Sequence, residues 1–256
     1  MEEKYEKIKK YFDVSDQFFY KLIELDHKKE EIKKLREQNG RLKNPLIITV
    51  TGTPRSGKTT CICNLFEFFK KANFKTSFVN EPAGLIYDSL KSKEEKEKLL
   101  KHRVKFVDKQ YDIGLNMIKK CIDDNNDIII CDRGVIDTFI WYNMYYKMGM
   151  ISKEKYETNL LKADVLILYS NYFYALKSEK DEALKRDYTN SLCLDPRTTV
   201  NESFIEKYNS SLDEIYDFFK DLTLSAKMID TTNLKKMDAS LEIATDMTEK
   251  IKKLYK

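Results

Sequence analysis

Residues 46–60, LIITVTGTPRSGKTT, run from five β-prone residues into a turn bracketed by two glycines and closed by Lys58-Thr59-Thr60. The turn fits G-x-x-x-x-G-K-[ST] in full and precedes a predicted helix. Glycines let the backbone curl so that its N–H groups point at phosphate oxygens, and the helix N-terminus adds partial positive charge. Lys58 would reach the terminal phosphates, and Thr59 would offer its hydroxyl to Mg²⁺. The stretch therefore predicts a nucleoside-triphosphate site. The residues predicted to contact the nucleotide are Gly52, Pro54, Arg55, Ser56, Gly57, Lys58, Thr59 and Thr60.

Strands and helices alternate from residue 46 onward. The predicted strands are 46–50, 75–80, 127–131, 164–169 and 227–230. The predicted helices are 58–71, 89–122, 136–147, 202–221 and 239–255. Short apolar strands that alternate with helices predict an α/β fold, with a five-stranded parallel sheet covered by helices on both faces. Ligands of such sheets bind beyond the carboxyl ends of the strands.

Composition narrows the class of protein. A hydrophobic fraction of 42% and an aromatic fraction of 12% are typical of a folded domain. No apolar run approaches the ~20 residues of a membrane span, and the N-terminus is charged, unlike a secretory signal. The net charge of +4 is spread along the chain, which argues against a nucleic-acid surface. The five scattered cysteines indicate reduced thiols, so we expect a cytoplasmic protein.

Residues 1–44 precede the alternating region. The segment 1–39 contains no Gly or Pro, and its apolar residues recur at helical spacing. We expect a helical N-terminal appendage to a domain at 45–256. The appendage either packs against that domain or contacts a partner.

Charged residues follow the second and third predicted strands. Glu81-Pro82 follows the second, and DRG at 132–134 with Asp137 follows the third. Asp132 would hold Mg²⁺ through water, and Glu81 would accept the proton of an attacking hydroxyl. Arg133 would neutralise charge on a transferring phosphoryl group.

These motifs resemble the nucleoside and nucleotide kinases of the P-loop class. Thymidylate kinases carry E-P-G-G and D-R-x-x-x-S-x-x-x-Y at these places, and deoxynucleoside kinases carry E-P and E-R-S. A related group of small kinases shows D-R-G-x-x-D, which Asp132, Arg133, Gly134 and Asp137 match. The resemblance covers roughly 46–256. It implies an ATP- and Mg²⁺-dependent phosphotransferase with Lys58, Glu81, Asp132 and Arg133 as catalytic residues and Thr59 and Asp132 as the metal site.

A polar stretch with two arginines follows the fourth predicted strand. Only seven Arg occur among 46 basic residues. Each is therefore a candidate for a role that needs the planar guanidinium group, such as bidentate binding of phosphate. In the resembled kinases this position is a lid that supplies Arg to the phosphates. The resemblance thus implies a lid at about 171–201, with Arg186 and Arg197 as catalytic residues.

In the resembled kinases a long helix lines the acceptor pocket, so the resemblance implies this place for the predicted helix at 89–122. Phe106 and Gln110 lie one turn apart on one face, as an aromatic ring and an amide that would bind a base, with Arg103 nearby. The alternatives are that Phe106 belongs to the core and that Gln110 is solvated. The predicted substrate-binding residues are Glu81, Arg103, Phe106, Gln110, Arg133 and Asp137.

One departure from thymidylate kinases bears on the acceptor. Those enzymes have Arg before E-P and Arg on the long helix, where this chain has Asn80 and, approximately, Lys109. The loss of a bidentate phosphate clamp slightly favours a hydroxyl acceptor, as in a nucleoside, over a nucleoside monophosphate. Two alternatives stay open: a kinase of another small molecule, such as an antibiotic, sugar or vitamin precursor, and a nucleotide-switched binding protein. The sequence also leaves open a homodimer.

Overall fold

A computed structural model describes residues 16–163, 169–186, 200–234 and 237–255, with side chains described from residue 20. The described strands are β1 Leu46–Gly52, β2 Thr76–Val79, β3 Ile128–Asp132, β4 Tyr172–Lys177 and β5 Ser225–Asp230. The first described helices are α1 Asp16–Asn39, α2 Lys58–Lys71, α3 Pro82–Ser89, α4 Lys93–Lys101 and α5 Arg103–Asp123. The remaining described helices are α6 Ile136–Lys147, α7 Lys153–Leu160, α8 Lys180–Lys185, α9 Glu202–Phe219 and α10 Asp238–Leu254.

The five strands form one parallel sheet in the order β2-β3-β1-β4-β5, which confirms the predicted fold class. Helices α1, α2 and α10 cover one face, and α5, α6 and α9 cover the other. All seven residues of the central strand β1 are buried, because both of its faces are covered. The carboxyl ends of β1, β2 and β3 consequently lie side by side at one edge, where the predicted site residues occur.

The fourth strand lies further along the chain than the sequence predicted. The prediction placed it at 164–169, of which 164–168 lie outside the described residues, whereas β4 spans Tyr172–Lys177. Both stretches are short apolar runs, and a short apolar run alone does not identify its strand. The predicted lid at 171–201 is therefore wrong in its first part, since 172–177 is a buried core strand.

The predicted helix at 89–122 is wrong as one element: it is two helices, α4 and α5, and the short helix α3 precedes them. Pro82 occupies the first turn of α3, and Ser92 caps α4 in a capping box with Glu95. On α5, a Cβ on Gly114 would lie 3.2 Å from side-chain atoms of both Pro82 and Val135. Glycine thus lets α5 approach the turns after β2 and β3 closely.

The N-terminal helix α1 is part of the domain. Ile32 is fully buried in the same core as β1. Arg36 and Arg41 each lie 3.1 Å from the buried carboxylate of Asp127, which precedes β3 at the edge opposite the site. The described part of the appendage therefore packs against the domain, while residues 1–15 lie outside the described residues.

The described cysteines, at 61, 63, 121 and 131, are free thiols, as expected, and Cys193 lies outside the described residues. Cys61 is buried and Cys63 exposed, so they point to different sides of α2. Burial raises the pKa of the Cys61 thiol to about 12. Within the described ranges, no helix is long and apolar enough to cross a bilayer.

Candidate nucleotide-binding and catalytic site

The predicted phosphate-binding loop joins β1 to α2. Gly52 has φ 143°, and a Cβ there would lie 1.9 Å from the carbonyl oxygen of Leu176 in β4. The next residue, Thr53, donates its backbone N–H to the same oxygen at 2.9 Å. Gly57 has φ 88° and directly precedes α2. Glycine is thus needed at Gly52 for close approach and at Gly57 for a left-handed backbone.

The N-terminus of α2 has the features of an anion-binding site. No side chain of the described residues caps this helix, and the N–H groups of its first turn have no carbonyl within the helix. The Ser56 hydroxyl beside it is buried and has no hydrogen-bond partner in the described part of the chain. Such unpaired donors and the helix dipole favour a bound phosphate group. Thr59 and Thr60 are exposed in this first turn, and Arg55 precedes it with φ 72°.

Lys58 is buried, and its side chain folds back onto the start of the phosphate-binding loop. Its Nζ donates to the carbonyl oxygens of Gly52 at 2.9 Å and Thr53 at 2.7 Å. Burial lowers the pKa of Lys58 to about 7, and the neighbouring cation of Arg133 adds to this shift. The opposing carboxylates, which raise the pKa, belong to Asp132, Asp137 and Glu81. Three of the predicted catalytic side chains, Glu81, Asp132 and Arg133, therefore form one charged cluster with this lysine and Asp137.

Asp132 ends β3 beside Val50 of β1. Burial raises the pKa of its carboxyl group, which accepts no hydrogen bond from another described residue. No group of three His, Cys, Asp or Glu side chains suited to a metal occurs among the described residues. Mg²⁺ in phosphoryl-transfer sites takes one or two protein oxygens and completes its shell with phosphate and water. The Asp132 carboxylate and the exposed Thr59 hydroxyl fit such a site.

Glu81 and Arg133 form an ion pair, although they follow different strands. The Nε of Arg133 lies 3.0 Å from Oε1 of Glu81. Arg133 has φ 63°, and its backbone N–H donates to Val50 O at 2.9 Å. Burial alone would lower the pKa of Arg133, but Glu81 and Asp137 outweigh it and raise the pKa. The guanidinium is thus fixed and charged beside the phosphate-binding loop.

Asp137 lies behind Arg133 and is buried. Its Oδ1 accepts hydrogen bonds from the hydroxyls of Thr51 at 2.5 Å and Tyr208 at 2.6 Å, and lies 3.8 Å from Arg133 Nη1. Its Oδ2 accepts from Trp141 Nε1 at 3.0 Å. Both carboxylate oxygens of Asp137 are thus already bound by donors of the protein. The predicted contact of Asp137 with an acceptor stays a prediction.

Sequence reasoning missed Thr51, Trp141 and Tyr208. Tyr208 lies among apolar residues that recur at helical spacing along α9, where a tyrosine is ordinarily part of the core. The available signal was Thr51, a hydroxyl on a strand buried on both faces, which requires a hydrogen-bond partner.

The three predicted acceptor-pocket residues of α5 differ in their surroundings. Phe106 is buried in a small cluster with Ala83 and Ile86, so its predicted alternative as a core residue is confirmed. Gln110 is largely buried and forms no hydrogen bond with another described residue, and its predicted contact with a base stays a prediction. Arg103 lies near the hydroxyl of Tyr145, whose pKa is raised by burial and lowered in part by this guanidinium.

Gln110 lies one helical turn before Gly114, the residue that contacts the turns after β2 and β3. Residues four apart share a helix face, so Gln110 lies on the face of α5 that packs against those turns. Gln110 therefore faces the turns that carry Glu81 and Arg133, and its predicted contact with an acceptor stays a prediction.

Of the two arginines predicted in the lid, the structure describes only Arg186. Arg186 donates to the backbone oxygen of Arg55 at 2.9 Å and to those of Thr231 and Thr232 after β5. It thereby ties the phosphate-binding loop to the end of β5, and its predicted phosphate contact stays a prediction. Arg197 lies outside the described residues.

Solved structures with a similar fold include the deoxyadenosine kinase of M. mycoides. Its structure with the products dCMP and a flexible dCDP gives a TM-score of 0.54 and 18% identity, covering 79% of this chain and 98% of that chain. Its structure with bound dATP gives a TM-score of 0.49 and 18% identity, and the match covers 80% of this chain and 100% of that chain. At this identity the first of these two similarities establishes the fold alone, a P-loop NTPase-like parallel sheet with helices.

Sequence comparison assigns the family. A search of curated protein sequences found no significant match. A family profile described as "AAA domain" matches residues 47–214, which include the phosphate-binding loop, Glu81, Asp132 and Arg133. Because this match spans more than half of the chain, the protein belongs to the AAA domain family of P-loop proteins.

Proposed function

We propose that this chain is an ATP- and Mg²⁺-dependent kinase that transfers the γ-phosphate to a nucleoside or nucleoside monophosphate, with a nucleoside hydroxyl as the favoured acceptor. The observation that carries this proposal is the Glu81–Arg133 pair, at 3.0 Å, within the charged cluster around the buried Lys58. A carboxylate that accepts a proton and a guanidinium that binds phosphate are the two groups that a phosphoryl acceptor requires.

The donor half is the phosphate-binding loop. Its uncapped helix terminus, the buried hydroxyl of Ser56 and the ammonium of Lys58 would bind the phosphates of ATP. Asp132 and Thr59 would hold Mg²⁺, which neutralises phosphate charge when bound. Arg186, through its three backbone contacts, would keep this loop against the end of β5.

The acceptor half lies across the carboxyl edge of the sheet. Glu81 would take the proton of the acceptor hydroxyl while the oxygen of that hydroxyl forms a bond to the γ-phosphorus. The bond from that phosphorus to the bridging oxygen breaks, and ADP leaves with the electron pair. Arg133 would neutralise the charge on the equatorial oxygens.

Two observations support a nucleoside hydroxyl as the acceptor. Asn80 and Lys109, at the positions where thymidylate kinases carry Arg, are both exposed. The Gln110 side chain is largely buried and its amide forms no hydrogen bond with another described residue, so the amide is available to a base. The similarity in fold to a deoxyadenosine kinase is in keeping with this choice.

An acceptor screen tests the proposal. The full chain is incubated with γ-labelled ATP, Mg²⁺ and separate sets of nucleosides, nucleoside monophosphates, aminoglycosides, sugars and vitamin precursors. We expect label transfer to nucleosides that Lys58→Ala and Asp132→Ala abolish. Transfer only to a molecule of another set would overturn the nucleoside assignment and keep the kinase. An absence of transfer to every set, together with a protein partner bound only in the ATP form, would overturn the kinase in favour of a nucleotide-switched binding protein.

A further inference from the structure

The carboxylate of Asp137 is held by donors from three separate elements. They are the hydroxyl of Thr51 on β1, the indole N–H of Trp141 on α6 and the hydroxyl of Tyr208 on α9. Thr51 and Tyr208 are fully buried. A buried carboxylate without such donors would be costly, and three donors from three elements also fix its orientation.

Arg133 lies between this carboxylate and Glu81. Its Nε is 3.0 Å from Glu81, and its Nη1 is 3.8 Å from Asp137. In the proposed reaction Glu81 accepts a proton and loses its charge, so its attraction for the guanidinium falls at the moment when phosphoryl charge develops. Asp137 then remains as the carboxylate that retains Arg133 in place.

Tyr208 keeps its proton under ordinary conditions. Burial raises the pKa of its hydroxyl well above the usual value, and the charge of Asp137 adds to this shift. The hydroxyl is therefore a permanent donor to Asp137. The adjacent residue, Asn209, accepts a hydrogen bond from Thr53 of the phosphate-binding loop at 2.6 Å. One turn of α9 thus supports both Arg133 and the loop.

We propose that Asp137 and Tyr208 are positioning residues that hold the guanidinium of Arg133 in line with the transferring phosphate, an inference that rests on the proposed phosphoryl transfer. Neither residue touches the reacting atoms. They act through Arg133, with Thr51 and Trp141 completing the support of Asp137.

The test is a double-mutant cycle between Tyr208→Phe and Arg133→Lys. Tyr208→Phe keeps the buried ring and removes only the hydroxyl, so we expect kcat to fall about tenfold, with the KM for ATP changed less than about twofold. In the Arg133→Lys background the same substitution should lower kcat by less than about twofold, because the guanidinium that it positions is absent. The matched control is Tyr216→Phe, on the same helix, where the hydroxyl has no hydrogen bond to a described residue and kcat should not change.

Thermal unfolding shows whether each variant is folded. If Tyr208→Phe does not fold, Thr51→Val replaces it, since it removes the other short hydrogen bond to the same oxygen. Losses that multiply in the double variant, or a Tyr208→Phe variant as active as the wild type, would overturn the positioning role and leave the kinase intact. A wild-type chain that transfers phosphate to no acceptor overturns the proposed function and this inference together.

Discussion

Arg133 Nε and Glu81 Oε1 lie 3.0 Å apart, although the two residues belong to turns that follow different strands. The parallel arrangement of β2, β3 and β1 brings these turns to one edge. The predicted proton acceptor and the predicted phosphate-binding cation are therefore assembled by the backbone, without a rearrangement of the sheet. Such preorganisation is the main source of electrostatic catalysis.

Arg133→Lys is expected to lower kcat on the order of 10²-fold with a small change in the KM for ATP. The guanidinium contacts Glu81 through Nε and Asp137 through Nη1, whereas a lysine has only one nitrogen. The substitution therefore keeps the positive charge but loses these two simultaneous contacts. Steady-state kinetics with the acceptor found in the screen measures the effect. Arg41→Lys, at the opposite edge of the sheet, is the control for the same chemical change and should leave kcat within about twofold. An equal loss in both variants would contradict a specific role of Arg133.

The pH dependence of ATP binding follows from Lys58. Its pKa is lowered to about 7 by burial, and bound phosphate would raise it because the charged form is then paired. ATP binding should therefore take up about half a proton at pH 7 and approach one proton at higher pH, and affinity should decrease as pH rises above 7. Calorimetric titrations in buffers of different ionisation enthalpy measure this uptake.

The control for this titration lies on the same helix. Lys71, in the last turn of α2, is exposed, so Lys71→Met should retain the proton uptake while Lys58→Met loses it. Uptake of the same size in Lys58→Met would assign the proton to another group.

Much of the site could be predicted because its residues are local to strand ends. Three short motifs each mark one turn: the glycine-bracketed loop after the first strand, Glu-Pro after the second and Asp-Arg-Gly after the third. A parallel sheet brings such turns together at one edge, whatever the details of packing. The support of Arg133 could not be predicted in this way. Tyr208 meets Asp137 only because α9 packs on α6, a contact between distant parts of the chain that no local pattern encodes.

The same limit explains the errors in the fold. An apolar run at 164–169 and the strand at Tyr172–Lys177 are equivalent by local pattern, and the register of β4 against Ile48 of β1 is a tertiary property. In the region predicted as one helix, Ser92 and Glu95 form a capping box that starts α4. That signal is present in the sequence, where Ser92 and Glu95 indicate a helix that begins at residue 93.

Gly52→Ala is expected to lower the free energy of unfolding by about 3 kcal/mol. The added methyl group would lie 1.9 Å from the carbonyl oxygen of Leu176, so β1 and β4 would have to move apart. Gly149→Ala is the matched control, because Gly149 also has a positive φ, but a Cβ at that position would have no atom within 4 Å. It should cost only about 1 kcal/mol, which is the strain of the backbone conformation alone. Urea unfolding measures both, and equal costs would show that the close approach to Leu176 is absent.

Asp127→Asn is expected to lower the free energy of unfolding by about 3 kcal/mol and to release α1 from the domain. The buried carboxylate binds Arg36 and Arg41, and it accepts the backbone N–H of Lys75 at 2.9 Å. An amide cannot compensate the charge of both arginines, so Arg36, which is largely buried, loses its partner. Urea unfolding measures the stability, and limited proteolysis should cleave near 40–45 in the variant much faster than in the wild type. Glu30→Gln removes a partner from an exposed ion pair with Lys33 on the same helix and should change stability by less than about 0.5 kcal/mol. If Asp127→Asn matches that control in both measurements, α1 is held by its apolar face at Ile32 and not by the buried ion pairs.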